Sequence, residues 1–135
     1  MKNMLIKLLL SSCFLYINSA NTSSYDPGGN VMGYYSMVIQ GNKTHARVAI
    51  YGTCASACTE KLGSNNLCID PSATLLFHQA SDNGGARSAI ASNMMLSMYP
   101  ANIRNWAIRT GALNRNEVTQ MTGFQAIRMG VPSCL

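Results

Sequence analysis

Strand-like and helical segments alternate along this chain, and that order admits few architectures. Residues 31–40 (VMGYYSMVIQ) carry apolar side chains at 31, 34, 35 and 38, one face of a helix closed by Gly41-Asn42. Residues 47–51 (RVAIY) are β-rich and short, residues 52–57 turn, and residues 58–62 begin a short helix that Gly63 ends. Leu67-Cys68-Ile69 reads as a second strand stopped by Asp70-Pro71, and ATLLFH (73–78) as a third, continuous apolar run. After the loop SDNGG (81–85), helical spacing runs from 86 to 110, with Pro100 breaking or kinking it after Tyr99. Residues 114–117 read as a helix cap and first turn, residues 122–129 as a last helix with Thr122 as N-cap, and 131–135 as an extended tail. Helix-strand-helix-strand-strand-helices predicts an α/β domain.

With 135 residues the chain has room for one such domain, and its 47% hydrophobic content suits a globular core. Its first twenty residues, MKNMLIKLLLSSCFLYINSA, read as an export signal. Lys2 and Lys7 give a positive start, and residues 8–17 form an apolar stretch too short to span a bilayer, which takes about twenty apolar residues. Cleavage after Ala20 leaves 21–135 as the mature domain. Leu10-Ser11-Ser12-Cys13 offers a rival reading, a lipoprotein signal with Cys13 as the lipid-bearing residue, and a third makes FLYINS (14–19) a strand of the domain. Lipidation at Cys13 is the only route to a membrane that the sequence suggests.

Without Lys2 and Lys7 the formal charge falls from +5 to +3, and the remaining Lys and Arg are scattered singly. No basic stripe with interleaved aromatics is present, which argues against nucleic acid as a partner. Cys54, Cys58, Cys68 and Cys134 remain once Cys13 is set aside, an even number with no C-x-x-C pair. The C-x3-C spacing and isolated Cys134 suit a zinc knuckle poorly, so two disulfides in an oxidising compartment are expected, with no metal and no cofactor. Four cysteines allow three pairings, among which spacing does not choose.

One constellation could carry chemistry. Acyl transfer by serine needs an activated hydroxyl, a base within reach and donors for the developing oxyanion. In YGTCASACTEKLG (51–63), Ser56 lies where a strand runs into a helix among Gly52, Ala55 and Ala57, so its hydroxyl can project beside free helix N–H groups. Small residues at such a junction also serve close packing alone. His78 ends the apolar run 73–78 and faces a polar loop, placing it at a strand mouth, whereas His45 sits in a polar segment. The turn Asp26-Pro27-Gly28-Gly29 presents backbone N–H groups, that of Gly29 in particular.

PGG, then helix and strand, then G-x-C-A-S-A, then a strand ending F-H-Q: this order resembles the Clp protease proteolytic subunit and its crotonase-like relatives. It is most similar to small secreted, Cys-containing bacterial proteins of that superfamily, periplasmic ones included, over about residues 25–134. The resemblance implies a trimmed fold of that superfamily, a short, mostly parallel sheet with flanking helices. It implies Ser56 as nucleophile, His78 as general base, and Gly29 and Ala57 as oxyanion-hole donors. The family's third catalytic residue, an aspartate, falls on Val118 here; Glu117 by a one-residue shift, or Asp82 from the loop after His78, are the substitutes. The resemblance also implies Cys68–Cys134, which leaves Cys54–Cys58 straddling Ser56. Crotonase-like folds commonly oligomerise, so a homo-oligomer is implied as well. Two functions follow: a secreted or periplasmic serine peptidase or hydrolase acting on an unidentified peptide or ester, or a catalytically inactive exported binding or structural protein that keeps the fold.

Overall fold

A computed structural model describes residues 24–135; the export signal, the lipoprotein alternative at Cys13 and the FLYINS strand lie outside the described residues. The architecture is mixed α/β, a mostly parallel sheet with flanking helices. A four-stranded sheet has the order β1-β3-β5-β6, built from β1 (Tyr25–Asp26), β3 (Thr53–Ala55), β5 (Thr74–Phe77) and β6 (Thr119–Thr122). The β1–β3 and β3–β5 pairs are parallel, and β6 returns antiparallel to β5. β2 (Val48–Ile50) and β4 (Leu67–Ile69) form a separate parallel pair. The tail extends that pair: Ser133 bridges Ile69, Cys134 N–H donates to Ile69 O, and a Cys68–Cys134 disulfide fixes it there.

Helices cover the sheets: α1 (Val31–Lys43), α2 (Ala89–Met98), α3 (Ala101–Thr110) and α4 (Gly123–Arg128), with a 3-10 helix at Ser56–Gly63. Pro100 ends α2 as expected, and the Arg104 guanidinium holds the freed carbonyls of Leu96, Ser97 and Tyr99. Thr122 caps α4 in a reciprocal box with Gln125. The core gathers Ile50, Leu62, Ile69, Leu75, Met95, Ile103 and Met121 around Phe77. The Phe77 ring meets Tyr99 and Trp106 edge-on, with centroids 5.5 and 5.1 Å apart.

Three expectations need correction. Residues 52–57 do not simply turn. Gly52, at φ +63, lets the chain cross from the β2–β4 pair into the larger sheet, where a Cβ would overlap Ser24 O, and β3 follows. Asp26, read as the first residue of a turn, belongs with Tyr25 to a strand that takes its ladder from β3. Residues 114–117 do not start a helix, because their polar groups are committed elsewhere. Arg115 O accepts from Gln79 N–H, and the Arg115 guanidinium reaches Thr110 O and Thr119 Oγ1.

Candidate active site

The three parallel strands end together, and a candidate site residue follows each one. β1 leads into the Pro27-Gly28-Gly29 turn, β3 into Ser56, and β5 into His78. Because β3 lies between β1 and β5, Ser56 is flanked by the glycine turn and the histidine, at the carboxyl edge where open α/β sheets hold ligands. Gly29, Ser56 and His78 line one cleft of about 430 Å³ with Asn30, Met32 and Asn83.

Ser56 has φ +56, a left-handed conformation that a residue with a Cβ adopts only when its surroundings demand it. Two constraints do so here. The Cys54–Cys58 disulfide closes a short ring across it. From the other side Gly28 presses in: a Cβ there would stand 2.5 Å from Ala55 O and 2.8 Å from Ala57 N. Gly28 is therefore the close-approach glycine, leaving Gly29 open to the cleft.

Asp26 fastens the glycine turn. Its Oδ1 accepts from Gly28 N–H (3.0 Å) and Tyr34 Oη (2.5 Å), and its Oδ2 pairs with Lys61 Nζ at 2.7 Å. Partial burial pushes the Asp26 carboxyl up, but the Lys61, Tyr34 and Gly28 donors outweigh it and hold it below the ordinary carboxylate range. Burial and the neighbouring carboxylate push Tyr34 up to about 12. The turn is thereby tied to both α1 and the 3-10 helix. The fasteners lie 8 and 35 residues from Asp26, and sequence reading missed them because no local pattern joins them.

Among the described residues the Gly29 N–H has no hydrogen-bond partner. Ala57 is the second residue of its helix, so its N–H lies ahead of the first helical hydrogen bond. Among the described residues neither N–H has a partner outside its helix, though Ala57 is fully buried beside Gly28 and only Gly29 lines the cleft. Both α1 and the 3-10 helix begin at this edge, with their positive ends toward it.

His78 Nδ1 lies 2.7 Å from Gln79 O. A carbonyl only accepts, so Nδ1 carries a proton, and in the neutral ring it is Nε2 that has the lone pair to take a substrate proton. Gln79 is itself anchored: its N–H donates to Arg115 O, and Nε2 donates to Asn116 Oδ1 at 3.2 Å. Neither sequence candidate for the third position bonds to His78. Asp82 Oδ1 accepts from Gly84 and Ala86 N–H and shapes its own loop, while Glu117 is solvent-exposed in the 114–117 turn. No hydrogen bond joins Ser56 Oγ to His78 among the described residues, a separation that catalytic pairs without substrate often show.

Two disulfides, Cys54–Cys58 and Cys68–Cys134, take up the four cysteines of the described residues. No group of three or more His, Cys, Asp or Glu among these residues is placed to hold a metal ion. No described helix is long and apolar enough to cross a membrane.

No protein-family model matches the chain, and no curated protein matches it in sequence.

Proposed function

We propose that this protein is an exported serine hydrolase of Clp-protease-like or crotonase-like architecture, cleaving a peptide or ester by acyl transfer. The observation that carries the reading is the left-handed Ser56 at the end of the middle parallel strand, with the unpartnered Gly29 N–H and His78 on the same cleft. In the reaction, Ser56 Oγ attacks the substrate carbonyl while His78 Nε2 takes the hydroxyl proton. The N–H groups of Gly29 and Ala57 hold the oxyanion of the tetrahedral intermediate. Its collapse breaks the scissile bond, and His78 passes the proton to the leaving amine or alcohol. Water, deprotonated by the same nitrogen, then releases the acyl group and restores Ser56. Two disulfides fit an oxidising compartment and support export.

A second reading has its own observation. The position next to His78 Nδ1 is held by a neutral carbonyl, and among the described residues no carboxylate hydrogen-bonds the ring. Loss of the orienting acid costs serine proteases about 10⁴-fold in rate. An exported binding or structural protein that retains the fold is the alternative. A fluorophosphonate probe separates the two: labelling of wild type that is lost in Ser56→Ala supports the hydrolase. A folded, disulfide-bonded wild type that never labels establishes the binding protein.

A further inference from the structure

Behind the cleft, Thr59 Oγ1 lies 2.7 Å from Ser56 O and 2.6 Å from Tyr99 Oη, and both side chains are fully buried. Ser56 O can only accept, so the single Thr59 hydroxyl proton goes to it, and Tyr99 must donate to Thr59. The chain of bonds has one direction, Tyr99 O–H to Thr59 O–H to Ser56 C=O. Tyr99 is rooted at its other end, since its backbone closes α2, its carbonyl accepts from Arg104, and its ring packs on Phe77. Burial raises the Tyr99 phenol above its ordinary range; the bond to Thr59 lowers it in part and the nearby Glu60 carboxyl raises it further, and the net rise keeps the proton on Tyr99.

Ser56 C=O and Ala57 N–H belong to one planar trans peptide unit and point in opposite directions. Fixing the carbonyl from one side therefore fixes the direction of the N–H, whose nitrogen lies beside the Gly28 turn. We propose that Thr59 and Tyr99 are positioning residues that lock the Ser56–Ala57 peptide so that Ala57 N–H serves as an oxyanion donor. This rests on the acyl-transfer reading of Ser56 for its purpose, but the lock itself is independent of any reaction.

The test uses Thr59→Val, Thr59→Ser and Tyr99→Phe in the full disulfide-bonded chain, with two readouts. The first is the NMR order parameter of the Ala57 amide. In wild type it should reach the rigid-backbone value of about 0.85, and in Thr59→Val fall toward the flexible range below about 0.6. Tyr99→Phe should fall between, and Thr59→Ser should match wild type. The second is the rate of fluorophosphonate labelling, slowed about tenfold or more in Thr59→Val and restored in Thr59→Ser, as loss of one preorganised donor predicts. An Ala57 amide that stays rigid in folded Thr59→Val and Tyr99→Phe overturns the lock. So does a Thr59→Ser chain as mobile as Thr59→Val. Should Thr59→Val fail to fold, Tyr99→Phe against Thr59→Ser carries the comparison. Wild type that never labels, yet loses Ala57 order on substitution, defeats the hydrolase reading and keeps the lock.

Discussion

His78 Nδ1 donates to the carbonyl of Gln79, its own chain neighbour, at 2.7 Å. A backbone carbonyl thus stands where a serine hydrolase ordinarily keeps a carboxylate. It fixes the tautomer and leaves Nε2 free, but supplies no countercharge. Asp82→Asn and Glu117→Gln should therefore leave fluorophosphonate labelling within about twofold of wild type, whereas His78→Ala should suppress it, since an unassisted serine is a poor nucleophile. A large loss in either carboxylate variant would show that the carboxyl reaches His78 during turnover.

Gly28 and Gly29 are adjacent, yet their substitutions should differ. Gly28 has φ +80, and a Cβ there would collide with Ala55 O and Ala57 N, all backbone. A Cβ on Gly29 would meet nothing within 4 Å. Gly28→Ala combines an unfavourable conformation with a steric clash and should destabilise the protein by roughly 2–3 kcal/mol or more. Gly29→Ala carries conformational strain alone and should cost about 1–2 kcal/mol. Thermal melts of the two variants give the order directly, and equal losses would mean that the glycine turn does not press on the Ser56 turn as described.

Much of the fold was legible because its longer elements carry their own signals. β4 is the apolar Leu67-Cys68-Ile69 bounded by Asp70-Pro71, α2 ends at Pro100, and Thr122 caps α4. Tyr25–Asp26 and Thr53–Ala55 were not, since strands of two and three residues draw their pairing from neighbours rather than from periodicity. The site divides the same way. Serine, histidine and paired glycines announce themselves by residue type, and the strand order brings them to one edge. A histidine bonded to a backbone carbonyl has no signature in side chains. Nor do Asp26–Lys61 and Thr59–Tyr99, 35 and 40 residues apart, where only the folded chain makes the pairs.

The two disulfides should differ in what they hold. Cys68–Cys134 closes a loop of 66 residues of separation, Cys54–Cys58 one of 4. On the chain-entropy account the long closure contributes about 4 kcal/mol and the short one about 2. Cys68→Ala/Cys134→Ala should thus lose more stability in urea than Cys54→Ala/Cys58→Ala. The second pair of substitutions should act nearer home, on the left-handed Ser56. Thiol titration of the native exported protein should find none of these four cysteines free, and a larger loss from the short bridge would reverse the assignment.

Glu60, one turn beyond Ser56 in the 3-10 helix, is fully buried, and neither carboxyl oxygen has a hydrogen-bond partner among the described residues. Burial pushes its carboxyl up from 4.5 to about 7. The folded chain therefore binds this proton more tightly than the unfolded chain does. The stability it protects is fully present below about pH 4.5, declines as pH rises toward 7, and is gone above that. The gap between the two values corresponds to roughly 3 kcal/mol at most. Wild type should be less stable at pH 8 than at pH 5 by an amount up to this size, once other titrating groups are subtracted. Glu60→Gln cannot ionise, so its stability relative to wild type should rise across the same interval and level off beyond pH 7. Urea unfolding of both chains from pH 4 to 8 measures that difference curve. A flat curve would mean that the carboxylate finds a partner when it ionises, with Tyr99 Oη the neighbouring donor and the Thr59 lock the bond it would give up.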